Sequence, residues 1–252
     1  MRRSAVALSL VLAVLAAPET QALRLDGDQV SIPVVGRFPG AAGTLWQTDV
    51  YLSNPHATAI DVTVRFYPAG EAVEERAYTL PPASVLTLTD ICLNTFSRAV
   101  ARGTVDVITT GRKTAGARAR IYNVGHPAGQ FGQNVPGISR SVLSPQANLY
   151  GLSASHDYRL NIGITNPGIT PAPIAINVRN KDGVSLYERT LTVQPHQYIQ
   201  YNDVASLWAL APQEGLSIDI NSGSRIYGWA SEVRNDNGDA AFVFGLSPNL
   251  QQ

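Results

Sequence analysis

Asn235-Asp236-Asn237-Gly238-Asp239 is the one stretch whose residue types and spacing suit a metal ion. Asn235, Asn237 and Asp239 offer oxygen ligands at alternating positions, as a calcium loop does. An EF-hand loop also needs Gly at its sixth position and Glu at its twelfth. Here Gly238 is fourth, and Pro248 and Asn249 occupy the far end. Asp-Asn-Gly between apolar runs is also a hairpin turn signal, and a turn is the expectation. A second candidate is the basic run Arg112, Lys113, Arg118 and Arg120. Arg118 and Arg120 flank Ala119, so on a strand they share one face. That face could meet an acidic glycan, a lipid headgroup or a protein; a solvated strand face is the plainer account.

Other reactive side chains are scattered. His56, His126, His156 and His196 stand beside Pro, Gly, Asp or Ser. They lack metal-ligand spacing and are expected in surface loops. A glycosidase needs two carboxyls roughly 5–10 Å apart in a cleft. Asp49, Asp61, Asp106 and Asp219 are dispersed, and only Glu74 and Glu75 adjoin. Asp106 and Asp219 each alternate with apolar neighbours, in Val105-Asp106-Val107 and Ile218-Asp219-Ile220, which predicts solvent-facing strand positions. Neither a Gly-x-Ser-x-Gly elbow nor a phosphate-cradling loop occurs. Cys92 is the only cysteine. It excludes a disulfide within the chain, and its apolar setting predicts a buried small hydrophobe. No catalytic residue and no cofactor is expected.

The elements that carry these residues read as strands. Thr48-Asp49-Val50-Tyr51-Leu52-Ser53 and Val62-Thr63-Val64-Arg65-Phe66 alternate apolar and polar side chains. Leu160-Asn161-Ile162-Gly163-Ile164 and Ile174-Ala175-Ile176-Asn177-Val178 do the same. Period two with β-branched residues predicts half-buried antiparallel strands. Turn signals such as Asn54-Pro55, Pro81-Pro82, Asn166-Pro167-Gly168 and Lys181-Asp182-Gly183 separate them.

A shift of 112 residues superposes Asn54-Pro55 on Asn166-Pro167, Val50 and Leu52 on Ile162 and Ile164, and Thr58 on Thr170. Pro82 and Asp90 match Pro195 and Asp203 after a slip of one residue, as a hairpin of different length would give. The pattern predicts two copies of one unit, residues 23–140 and 141–252. Each copy holds one short stretch that Asp90 or Asp203 would cap as a helical turn. Trp46, Trp208 and Trp229 do not coincide under the shift, and core packing is expected for each.

The segments Leu52-Ser53-Asn54-Pro55 through Phe66, and Ile164-Thr165-Asn166-Pro167 through Val178, resemble the tandem immunoglobulin-like sandwich modules of secreted bacterial proteins. The opening Gly43-Thr44-Leu45-Trp46-Gln47-Thr48-Asp49 is similar to the start of such modules. The resemblance implies an all-β fold of two tandem immunoglobulin-like antiparallel β-sandwiches, each with at most one short helical turn. It implies a non-catalytic tendency and carries no known site. No Cys–Trp–Cys pattern is present, which sets the chain apart from antibody-type domains.

At the N-terminus, Met1-Arg2-Arg3 precedes an apolar run from Ala5 to Ala17 and then Pro18-Glu19-Thr20-Gln21-Ala22. This predicts an export signal cleaved after Ala22 and a secreted or periplasmic product. The run falls short of the roughly 20 residues a spanning helix needs, and no membrane span is expected in the mature chain. Export would remove Arg2, Arg3 and Glu19 from 19 basic and 19 acidic residues, leaving 17 against 18. A chain so near neutral has no general attraction for nucleic acid. The leading expectation is a structural or protein-interaction module of the cell exterior or periplasm, its partner an exported protein or a surface polysaccharide. Second is a carbohydrate-binding module, for which Tyr187, Tyr198, Tyr201 and Trp208 would have to form an exposed coplanar row. Third is a secreted hydrolase.

Overall fold

A computed structural model describes residues 25–40, 43–111, 113–127, 129–245 and 247. The expected leader, Arg112, Pro248 and Asn249 lie outside the described residues. The first unit contains β1 (Asp26–Gly27), β2 (Gln29–Pro39), β3 (Leu45–Ser53), β4 (Ile60–Pro68), β5 (Glu74–Leu80), β6 (Val85–Leu88), β7 (Ala101–Thr109), β8 (Ala115–Val124), β9 (Gly132–Pro136) and β10 (Ile138–Ser139). The second contains β11 (Ser144–Ala154), β12 (Tyr158–Thr165), β13 (Ala172–Arg179), β14 (Ser185–Val193), β15 (Tyr198–Tyr201), β16 (Gln213–Arg234) and β17 (Ala240–Phe244). Pairing is antiparallel throughout, and the two hydrogen-bonded strand sets divide between Ser139 and Ser144.

The fold is all-β, with two sandwich-like sheets. In the first unit β6, β3, β8 and β9 form one layer, and β10, β2, β7, β4 and β5 the other. In the second unit β16 runs through both layers. Its first part pairs with β11 and β13, and from Tyr227 onward it pairs with β12 and β17. The alternation read from sequence sets the cores. Val62, Val64 and Phe66 point in, as do Ile174, Ile176 and Val178, while Asp61 and Pro173, one position before each set, are exposed. Each such large side chain contributes roughly 1.5–3 kcal/mol on burial.

Short helices stand where the Asp residues predict them. Asp90 caps a five-residue π-type turn, Ile91–Thr95, and Asp203 caps the α-helical turn α1 (Val204–Leu207). Their carboxylates accept from the N–H of Leu93 and Ser206, and both caps adopt left-handed backbone, with φ of 42° and 47°. Asp90 N–H donates to Asp49 Oδ1, and Asp203 N–H to Asn161 Oδ1, the same bond in each unit. A 3-10 turn at Arg140–Val142 lies between the units. The one-residue slip also has a location. Seven residues separate Phe66 from its cross-strand partner Glu74, and eight separate Val178 from Tyr187, with a bulge after Val178. The wider π-type turn takes the register back. Cys92 is fully buried in this turn, and burial pushes its thiol up to about 12.

Asn54 and Asn166 are buried at the ends of β3 and β12. Asn54 Nδ2 donates to the carbonyls of Thr58, Leu80 and Pro81 at 2.9, 3.1 and 2.8 Å, and its Oδ1 accepts from His56 N–H. Asn166 donates to Thr170 and Val193 at 2.8 and 3.0 Å and accepts from Gly168 N–H. The side chain thus satisfies carbonyls of two loops at once. Replacing Asn54 or Asn166 with Leu strands those buried carbonyls and should lower stability by roughly 1–3 kcal/mol. Urea denaturation of each variant measures this; an unchanged midpoint would show that the bonds are dispensable.

Candidate functional site

The chemistry-bearing residues meet at the seam between the units. Along β12 and the second part of β16, alternate residues face opposite ways. Ile162, Ile164 and Ala230 enter the second core, whereas Tyr227 and Trp229 pack into the hydrophobic cluster of the first. Partly buried Tyr198, Phe242 and Phe244 join them there. Gly163 makes this possible. A Cβ at that position would sit inside the Trp229 ring, so only a glycine lets the indole lie against β12. Thr165 Oγ1 donates to Pro33 O at 2.9 Å, Tyr227 OH to Pro136 O at 2.7 Å, and Ser231 Oγ to Gln133 Oε1 at 2.8 Å. The continuously buried stretch Val30–Gly36 of β2 is explained by this second covering.

Beside the apolar contact lies a polar cluster. Arg140 Nη2 donates to Asp106 Oδ2 at 2.6 Å, and Arg140 Nε to Ser31 Oγ at 3.1 Å. Ser31 Oγ in turn donates to Asp106 Oδ1 at 2.7 Å. His196, from the loop before β15, stacks on Tyr67 with ring centroids 4.1 Å apart, and its Nδ1 lies 3.5 Å from Arg140 Nη2. Thr104 Oγ1 donates to the His196 carbonyl. Burial lifts the Asp106 carboxyl above its usual range, against the opposing pull of Arg140. Burial holds the His196 imidazole below its usual range, and Asp106 opposes that shift.

Two expectations are corrected here. Asp106 is 3% exposed rather than solvent-facing. Alternation gives the parity of a strand residue but not what covers the face, and here Arg140 and His196 cover it. Asp219, on an open face, pairs with Arg179 at 3.1 Å and is half-exposed. His196 is likewise no free surface histidine, whereas His156 is fully exposed. Sequence reasoning missed Ser31, Tyr67 and Arg140 altogether. The available signal was a carboxylate between the apolar Val105 and Val107, and an arginine, Arg140, in the segment that joins the two strand sets.

A cleft of about 240 Å³ opens along the same seam, walled by Phe38, Trp46 and Trp229 and by the amides of Gln133, Asn161 and Gln200. The Arg102 guanidinium lies 3.9 Å over the Phe38 ring, and the buried Trp229 Nε1 has no hydrogen-bond partner among the described residues. The other sequence candidates lie elsewhere. In the Asn235–Asp239 turn, Asn237 Oδ1 accepts from Asp239 N–H, Asp239 Oδ1 from Ala240 N–H, and Asp236 pairs with Arg234 at 2.7 Å. Asn235 Oδ1 accepts from Arg159 at 3.3 Å, so these oxygens are engaged by the turn and its neighbours. Tyr187 and Tyr201 pack on Trp208, while Tyr198 points to the seam, so the four rings do not form one row.

Arg118 and Arg120 stand on the outer face of β8. Arg118 lies 4.1 Å over Tyr51, beside a shallow groove of about 390 Å³ bordered by Leu25 and Val85. The strand pairing also changes their counterparts. Val50 pairs with Leu88 and Ala119, as Ile162 pairs with Tyr201 and Ala230. The residues in register with Arg118 and Arg120 are therefore Trp229 and Ser231, not Ala230 and Glu232 as a uniform shift implies.

No protein-family model matches the chain, and no curated protein matches it. Among solved structures, Thermotoga maritima 1070 is similar over 41% of this chain and 94% of its own, at 13% identity and a TM-score of 0.35. The Bacteroides uniformis β-glucuronidase 2 bound to cyclophellitol-6-carboxylate aziridine overlaps 80% of this chain at 9% identity and a TM-score of 0.15. This chain spans 26% of that enzyme's length.

The lowered pKa of His196 has a direction that can be measured. The folded state holds the imidazole neutral, so its contribution is complete above the ordinary histidine value of about 6.5. It is lost as pH falls below that value, because the unfolded chain takes up the proton first. Asp106, with a raised pKa, acts oppositely: its contribution is complete below the unfolded value and is lost as pH rises through the folded one. Between about pH 7.5 and 5.5 the wild type should lose more stability than His196→Gln. Melting temperatures of both proteins across this range test it, and equal slopes would contradict the role given to His196.

Proposed function

We propose that this chain is an exported, non-catalytic structural or protein-interaction module of the cell exterior or periplasm. It is built by duplication of one sandwich unit, residues 23–140 and 141–252, after an export signal at 1–22. The kinship we infer is with the tandem immunoglobulin-like modules of secreted bacterial proteins. The matched bonds of Asn54 and Asn166, and of Asp90 and Asp203, support the duplication. One observation carries the functional reading. Where a serine, a histidine and an aspartate do come together, the Ser31 hydroxyl donates to Asp106 and accepts from Arg140. An activated serine nucleophile needs its hydroxyl within reach of a base that a third group orients. Here Asp106 is taken up by Arg140 and Ser31, and His196 by its stack on Tyr67, so the cluster welds the units together.

A second reading rests on the seam cleft. Aromatic walls with amide side chains are the chemistry that holds a sugar, by ring stacking and hydroxyl hydrogen bonds. On that reading the cleft takes a short saccharide, and Gln200→Ala weakens its binding.

Immobilised residues 23–252 should retain an exported protein or a surface polysaccharide from an envelope extract without altering it. Ester and glycoside substrates incubated with the same protein should remain intact. Turnover that disappears in His196→Gln would overturn the non-catalytic reading. Retention of a soluble oligosaccharide that Gln200→Ala abolishes would favour the cleft.

A further inference from the structure

The two units do not use the same surfaces. The second unit's outer sheet face, carrying Trp229, Ser231 and Tyr198, is buried against the first unit. Its counterpart on the first unit carries Arg118, Arg120 and Val85, and that face is open. The surface that receives Trp229 on the first unit includes Trp46, Ile121 and Gln133. By the same strand register their counterparts are Tyr158, Glu232 and Ala241. These three residues line an exposed groove of the second unit, together with Ser153 and Asp239. Each molecule therefore has one seam made and the two halves of another left free.

The charges on the free halves match. Arg118 stands where Trp229 stands in the made seam, and Glu232 stands where Ile121 stands. Superposing the seam on the free halves sets Arg118 against Glu232, with Tyr158 in the place of Trp46. Among the described residues neither Arg118 nor Arg120 has a carboxylate partner, and Glu232 has no cation. Arg118 bonds only Asn134 Oδ1, at 3.2 Å, besides its stack on Tyr51. Glu232 Oε1 accepts only from Ser153 N–H, at 2.6 Å. Arg234, also in the groove, is already paired with Asp236. An apolar contact inside the chain is thus replaced, at the equivalent free surfaces, by an unpaired cation and an unpaired anion.

We propose that the outer β8 face of one molecule docks onto the Tyr158–Glu232 groove of a second copy, repeating between molecules the packing within each. The inference rests on the duplication proposed above. Because the two surfaces differ, the contact is head-to-tail and adds molecules in a row or a ring rather than stopping as a two-fold dimer. The facing charges make it sensitive to salt.

Sedimentation velocity of residues 23–252 over a concentration series, at low and high salt, tests this. The wild type should gain mass beyond a dimer as concentration rises, and less so at high salt. Arg118→Glu and Glu232→Arg should each be monomeric under the same conditions, and an equimolar mixture should associate again because each reversed charge meets its match. Circular dichroism checks that each variant is folded. If Glu232→Arg is not, Glu232→Gln replaces it and should weaken association. A wild type that stays monomeric throughout overturns the proposal, as does association unaffected by Arg118→Glu. Either outcome leaves binding of other envelope partners, tested above, untouched.

Discussion

Strands with both faces buried constrain this molecule more than any other feature. The second part of β16 and its neighbour β12 send one set of side chains into the second core and the alternate set into the first. A slip of one residue would exchange the two sets and disrupt both cores. Register is therefore fixed twice, and the seam cannot loosen without exposing Tyr227 and Trp229, two of the largest fully buried side chains. Gly163 belongs to the same constraint, since the indole occupies the space a side chain would take.

The polar cluster sets the orientation of what the apolar contact holds. A carboxylate as buried as Asp106 is costly alone, and Arg140 and Ser31 offset that cost with charge-assisted hydrogen bonds. Buried ion pairs are weak contributors to net stability, yet breaking one leaves a charge stranded. That asymmetry suits a joint. The bonds form in one relative position of the units and penalise others, and Arg140 sits in the short connection between the two strand sets.

Much of the fold was legible because it is local. Alternation in β3, β4, β12 and β13 placed their inner faces, and Asp90 and Asp203 marked the helical turns they cap. Asn54 and Asn166 stood out as matched strand ends, and their bonds have the same form in both units. The seam was not legible, because it depends on what covers a face. Asp106 and Asp219 read alike in sequence, yet one is sealed by Arg140 and the other is half-exposed. A uniform shift of 112 residues sets Arg118 against Ala230, and that fails for a different reason. Small insertions shift the register within the unit, and only the strand pairing aligns Arg118 with Trp229. The basic pair Arg118 and Arg120 was visible as a patch, but not that its equivalent is an interface.

The two units are one mechanical body, joined where Tyr227 and Trp229 enter the first core. Urea unfolding of residues 23–252, followed by tryptophan fluorescence and by far-ultraviolet circular dichroism, tests it directly. Trp46 and Trp229 line the seam cleft, and Trp208 packs in the second core. One transition is expected, with fluorescence and circular dichroism sharing a midpoint. Two separated transitions, one unit keeping its circular dichroism after the other has melted, would contradict it.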